Sequence, residues 1–405
     1  MPIRVVIRVS LETAPRNGRR CPPVAPVSGS DSAGGARRRQ QARQSPEEAS
    51  QMTSTQQASG ASPVDFAAYG DYGDFRPGQQ RAGSKPGEFV RANYPFRGRI
   101  TADGSSGHAA EPGRYHLYIS WACPWAHRTA IVRHLLGLQD VISLSAVDPV
   151  RDGRGWAFRE GKGHSLDPVN GFALLREAYE ATEPGYDGHV SVPVLWDRRT
   201  GRIVSNNFPD ITIDLDTQFG AWADPAYDLY PERLRPDIDA LNEVIYRTVN
   251  NGVYRSGFAT TQEQYHDAVT ALFATLDSLE QRLAGQRFLL GDAITEADIR
   301  LWVTLARFDV VYYSHFKANL RRVSDYPNLR GYARDLYALP AFRETTNFDH
   351  IKRHYYTTHP HLNPSRIVPD GPLLDWDAPH DRDAPYGRDA PHGRDTPHGR
   401  DTLAR

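Results

Sequence analysis

Cysteine is scarce in this 405-residue chain, which holds two, and one of them stands where a thiol becomes a nucleophile. The stretch 115–122 (YHLYISWA) has the aromatic and β-branched character of a buried strand, and Cys123-Pro124-Trp125-Ala126-His127-Arg128 follows it as a helix start. Proline suits the first helical position, because the N–H it lacks would have no partner there and its fixed φ is already helical. Cys123 is therefore expected at the N-cap, facing unpaired amide donors and the positive end of the helix dipole. Both favour thiolate over thiol. The competing reading is a buried cysteine that only packs.

Dithiol redox proteins pair such a cysteine with a second one three residues on, which resolves the mixed disulfide. Here that position is Ala126, and the other cysteine, Cys21, lies in a segment not expected to fold. A mixed disulfide on Cys123 thus calls for an external thiol. Two cysteines in the whole chain also speak against a disulfide-stapled secreted protein and point to a reducing cytoplasm.

The formal net charge of −1 gives no whole-chain attraction to nucleic acid or to an anionic membrane surface. No apolar run approaches the roughly 20 residues that span a bilayer, and the first ten residues are too short and interrupted for a convincing signal peptide. Residues 1–62, rich in Arg, Ser, Gly, Gln and Pro, are expected to form a disordered extension. Arg37-Arg38-Arg39 would suit a basic targeting arm, and Met52 is the alternative translation start. Residues 366–405 are expected to be a disordered tail, because from Asp377 a six-residue unit repeats as DAPHDR, DAPYGR, DAPHGR, DTPHGR. Proline removes donors and Asp and Arg keep the unit solvated, so no core forms and its histidines are read as solvated rather than metal-binding.

Between these ends the pattern divides in two. A helix to about Leu138, strands at 141–147, 190–196 and 202–205, and a helix around 173–181 make residues 63–225 an α/β domain with parallel and antiparallel strands. Pro193 inside a strand suggests a sharp turn, cis or otherwise, whose backbone faces a ligand, or else a plain edge strand. Over 226–365 apolar residues recur at helical spacing at 234–249, 261–283, 295–313 and 329–339. Thr295 and Asp298 form a capping-box pattern, with Ile294 and Ile299 as its staple.

At this point several strings resemble one family: YHLYISWACPWAHRT, GWAF, VSVPVLWD, IVSN, NNGVYRSGFA, FLLGDAITEADIRLW, RFDVVYYSHFKANLRR and FDHIKRHYY, spread over residues 90–365. The chain is similar to the glutathionyl-hydroquinone reductases, the Xi class of glutathione transferases. The resemblance implies a thioredoxin-like domain followed by a helical one, and a homodimer. It further implies Cys123 as nucleophile, Tyr254 as proton donor and acceptor, Tyr312 and Tyr355 as companions around the substrate, and Trp156 and the Val192 backbone as thiol contacts. No metal is implied. A phenol suits the Tyr254 role because it stays neutral near pH 7 while donating a proton; the plainer reading of each tyrosine is a core aromatic. Tyr313, Phe316 and Trp302 are candidates for an aromatic pocket, or simply core.

Two departures touch the thiol. Asn207-Phe208 stands where the family has Glu-Ser after IVSN, and His189 where it has Arg before the Val-x-Val-Pro string. Losing charge-assisted contacts is expected to weaken glutathione, so another small thiol such as mycothiol is an alternative cofactor. The expected activity is thiol-dependent removal of a thiol from conjugated hydroquinones through a Cys123 mixed disulfide. The alternatives are a general transferase, a small-disulfide oxidoreductase, and a non-catalytic binding module.

Overall fold

The computed structural model describes residues 60–72 and 85–383. A one-turn helix α1 (Phe66–Tyr69) precedes β1 (Tyr115–Ile119), α2 (Pro124–Leu135), β2 (Ser143–Ala146), α3 (Arg176–Thr182), β3 (Val194–Asp197), β4 (Arg202–Ser205) and α4 (Phe208–Gln218). The sheet order is β2-β1-β3-β4, with β1 parallel to β2 and antiparallel to β3, and β3 antiparallel to β4. Every residue of β1 is buried, as befits a central strand covered on both faces. Its imidazole, His116, is satisfied across the strand pair by Ser143 (2.7 Å) and Ser145 (2.8 Å). The expected α/β pattern is present, and α4 adds a helix to it.

The second half is helical throughout: α5 (Arg235–Ile245), α6 (Gly252–Gly257), α7 (Gln262–Leu283), α8 (Glu296–Arg307), α9 (Pro327–Ala338), α10 (Pro340–Arg343) and α11 (Phe348–Thr358). The periodic stretches 234–249 and 295–313 are each one helix in their apolar spacing, yet each ends in a π turn, Tyr246–Asn250 and Phe308–Tyr312. These turns re-aim the chain just before Tyr254 and at Tyr312. The cap of α8 is as its sequence suggests, with the Asp298 carboxylate accepting the Thr295 amide at 2.8 Å.

One boundary moves. The segment after residue 365, expected to stay unpacked, lies against the helical half as far as Asp383. Trp376 packs on Trp302 (5.5 Å between rings), Tyr337 (5.3 Å) and Phe348 (5.5 Å). Arg382 donates to the carbonyls of Gln286 (2.7 Å) and Arg287 (2.8 Å), which end the α7 region. One tryptophan and one well-placed arginine anchor a stretch whose composition alone reads as solvated. At the other end, Ala61 already bonds Phe158 (3.0 Å), while Cys21, Arg37-Arg38-Arg39, Met52 and the later repeats lie outside the described residues.

Candidate active site

The turn from β1 to α2 sets the site. Cys123 takes the extended N-cap conformation (φ −77°, ψ 119°) with Pro124 opening the helix, and the amides of Ala126 and Trp125 point at its sulfur. Its Sγ lies 3.5 Å from the Val192 carbonyl, just before Pro193, whose peptide bond is cis. The turn itself is held from the helical half. The buried Arg307 donates to the carbonyls of Trp121 (2.9 Å) and Ala122 (3.0 Å) and reaches Nδ1 of His127 (3.1 Å).

The thiol is not tuned as its helix position suggests. Burial pushes it up, and the opposing pull of the two amides, Arg307 and Arg91 does not cancel that push. This corrects the expectation of a thiolate favoured at rest: the helix start is present, but the desolvation of a sulfur under aromatic side chains outweighs it.

A cleft of about 530 Å³ opens over the sulfur, lined by Cys123, Trp156, Val192, His189, Tyr254 and Tyr355 among others. The phenols come together behind it. Tyr254 and Tyr355 share a hydrogen bond of 2.5 Å, and Tyr312 reaches Tyr355 at 3.0 Å, although Tyr312 lies beneath the cleft rather than on its wall. Burial raises all three phenols, so each keeps its proton. Trp156 stacks on His354 (5.1 Å, 18°), and the Arg151 guanidinium lies over the same ring at 4.3 Å.

Asn207 and Phe208 are placed differently. They face a neighbouring polar cleft of about 1400 Å³ with Tyr246 and Arg300. Asn207 stands at the N-cap of α4 without a side-chain capping bond and donates its side-chain amide to Asp210 (2.5 Å), while the buried Phe208 packs on Trp125 (4.8 Å) beside the Arg128 guanidinium (4.7 Å). Of the proposed aromatic liners, Phe316 supports Tyr254 (5.2 Å) and Tyr312 (5.4 Å) from behind. Trp302 belongs to the Trp376 cluster, and Tyr313 faces a separate outer cleft.

Sequence reasoning passed over Arg91, which lines both clefts. Its guanidinium lies over Trp125 (4.4 Å) and Tyr254 (4.5 Å), its Nε is held by Asn251 (2.9 Å), and one terminal nitrogen is buried without a partner. Nothing in its local sequence marks it, because it precedes the first strand and reaches the site only through the fold. Among the described residues no group of three or more potential ligands could hold a metal, and no helix is long and apolar enough to cross a membrane.

Residues 122–218 match the glutathione S-transferase N-terminal domain, and 262–335 match the C-terminal domain of the same family. The chain is 48% identical to the glutathionyl-hydroquinone reductase YqjG of Escherichia coli over 306 residues, covering 74% of this chain and 93% of that protein. The glutathione-bound structure of YqjG superimposes with a TM-score of 0.69 at 49% identity, covering 71% of this chain and 96% of that one. The glutathione S-transferase Xi of Phanerochaete chrysosporium gives a TM-score of 0.68 at 48% identity, covering 70% and 98%. With a thioredoxin-like sheet, a helical second half and relatives of nearly full length, the chain belongs to the glutathione transferases, in the Xi class of glutathionyl-hydroquinone reductases.

Proposed function

We propose that this enzyme reductively cleaves glutathione from conjugated hydroquinones, with Cys123 as nucleophile and Tyr254 as the proton-transferring phenol. The reading is carried by one observation: a single thiol and the hydrogen-bonded phenols of Tyr254 and Tyr355 line the same cleft. Membership of the family supports it.

The Cys123 thiol gives up its proton, and its sulfur attacks the sulfur of the conjugate. A disulfide forms between Cys123 and the thiol, the carbon–sulfur bond breaks, and the ring carbon takes a proton with the help of Tyr254. A second thiol molecule then attacks this disulfide, leaving as an oxidised dimer and restoring Cys123. The amides of Trp125 and Ala126 hold the sulfur while it is charged. Trp156, His189 and the Val192 backbone border the same cleft and suit the thiol's backbone and flanks.

Glutathione is the thiol supported best. The case for mycothiol rests on Asn207, Phe208 and His189; the first two turn to the neighbouring cleft and to Trp125, which leaves His189 alone on the sulfur cleft. The test is release of hydroquinone from a glutathionyl conjugate, with the Cys123 adduct followed by mass spectrometry. Wild type is expected to release hydroquinone and accumulate a glutathione adduct when the second thiol is withheld; Cys123→Ser is expected to do neither. Reduction of small disulfides without any action on the conjugate would reject the proposal in favour of a plain oxidoreductase.

A further inference from the structure

In the wall of the sulfur cleft, two imidazoles touch. Nε2 of His315 lies 3.1 Å from Nδ1 of His359, and the rings lie nearly parallel (25°, 5.3 Å apart). His359 lines the sulfur cleft together with Cys123, Tyr254 and Tyr355. His315 lines a second, outer cleft of about 1130 Å³, together with Lys317, Arg322 and Asn363. The His315–His359 bond thus has one member on the wall of each cleft. We propose that His315 and His359 form a proton relay joining the outer cleft to the sulfur cleft.

The relay rests on the cleavage reading, in which protons move at two atoms. In the first half-reaction the Cys123 thiol loses its proton and the ring carbon takes one, giving the mixed disulfide and the free hydroquinone. In the second, the incoming thiol loses its proton and the Cys123 sulfur takes one, giving the oxidised thiol dimer and the resting thiol. Each half-reaction thus releases one proton and takes up one, with no net change, and the relay gives those protons a route out of the cleft and back. The three phenols bond chiefly to one another, so they can pass a proton within the cleft but do not themselves reach the outer one.

A neutral imidazole carries one N–H and one lone pair, so it can accept a proton on one nitrogen while releasing another from the second. Two such rings in series, bonded nitrogen to nitrogen, pass a charge without either moving far. The groups facing them keep both rings neutral at rest. Burial is the main cause, reinforced by His361 and Lys317 around His315, and by His315, His354, Arg151 and His361 around His359. Among the described residues neither ring bonds a carboxylate that would trap the proton as a fixed imidazolium; the groups around them are aromatic or basic.

His315 lies outside the sulfur cleft, so its replacement tests transfer rather than substrate contact. The experiment is single-turnover release of hydroquinone from a glutathionyl conjugate by wild type, His315→Ala and His315→Gln. Circular dichroism reports the fold, and iodoacetamide the Cys123 thiol. Both variants are expected to lose about a hundredfold in release rate, the lower range for a lost acid–base group, while alkylation of Cys123 stays as in wild type. Added imidazole is expected to restore His315→Ala, whose side-chain space it fills, and not His315→Gln. A folded variant that releases hydroquinone at the wild-type rate overturns the relay alone, as does failure of imidazole to restore folded His315→Ala. A wild type that releases none overturns the cleavage reading and the relay with it. Should the alanine variant not fold, the glutamine variant decides by its rate.

Discussion

The phenol oxygens of Tyr254 and Tyr355 lie 2.5 Å apart although the two residues are 101 positions apart in the chain. Tyr355 is itself bonded to Tyr312 at 3.0 Å, so it serves two phenols while Tyr254 faces the sulfur cleft. Tyr254→Phe removes the phenol proposed to transfer the proton and leaves Tyr355 bonded to Tyr312. Cleavage of the conjugate is expected to slow by about 10² or more. Unfolding free energy is expected to fall by only about 1 kcal/mol, the usual worth of one hydrogen bond. Parallel measurement of the release rate and urea unfolding checks both, and a rate loss no larger than the stability loss would remove Tyr254 from the chemistry.

Arg307 and the Cys123 turn are the second coupling. Arg307 is fully buried and bonds two carbonyls immediately before Cys123. Arg307→Met leaves the buried Ala122 carbonyl without its donor, at about 1–3 kcal/mol, and the partly buried Trp121 carbonyl at less. Arg307→Lys keeps the charge but replaces a planar fork by a single point, so it is expected to recover only part. Urea unfolding measures the stability loss, and the rate of Cys123 alkylation shows whether the turn has moved.

What the sequence made legible follows from how local each signal is. Cys123, Pro124 and the capping pair Thr295–Asp298 act on their own neighbours, and the structure keeps the helix starts they suggest. The helix α4 carries its own marks, Asn207 at the N-cap position and Pro209 just inside, but its β-branched residues Ile211, Thr212 and Ile213 weaken the helical signal. The π turns at Tyr246–Asn250 and Phe308–Tyr312 leave no break in apolar spacing, because they are fixed by packing between helices. Arg91 and the His315–His359 pair are invisible locally for the same reason: each meets its partners only after folding. The thiol's upward shift shows the limit most plainly, since a helix start can be read from spacing but desolvation cannot.

That shift has a direct readout. The pH profile of Cys123 alkylation by iodoacetamide is expected to have its midpoint above the ordinary cysteine range, because burial favours the neutral thiol. Arg91 opposes that push, so Arg91→Met is expected to move the midpoint higher still and to slow alkylation at pH 7. A midpoint below that of a free thiol would show that the amides and arginines outweigh burial.

Acid stability tests the sheet rather than the cleft. Burial alone would raise the Asp197 carboxyl, but the Arg114 fork (3.0 and 2.7 Å) and neighbouring donors bring it down to about 2. Its ordinary value is near 3.9, so the folded state holds its proton more weakly than the unfolded state does. The pair's contribution is therefore complete above roughly pH 4 and is lost as pH falls toward 2. Asp197→Asn is expected to lower the melting temperature at pH 7 and to flatten its decline over that window. A parallel decline in both proteins would assign acid unfolding to other groups.

Gly257 offers a packing test of the phenol cluster. A Cβ added there would stand 2.3 Å from Cγ and Cδ1 of Phe316 and 2.7 Å from its Cβ, too close for a ring anchored at both ends to give way cheaply. Phe316 is fully buried and stacks on Tyr312 (5.4 Å, 13°) while touching Tyr254 (5.2 Å) and Tyr355 (5.6 Å). Gly257→Ala is thus expected to cost about 1–3 kcal/mol, the range for overpacking a core, and to displace the phenols together. Conjugate cleavage falls with it, whereas Cys123 alkylation, which does not use the phenols, stays within about twofold of wild type. Adding Phe316→Leu makes room for the new methyl and is expected to return part of the stability but little of the activity, because the ring that aligns Tyr312 with Tyr355 is then missing. Recovery of full activity in that double variant would show that the phenols hold their arrangement without Phe316.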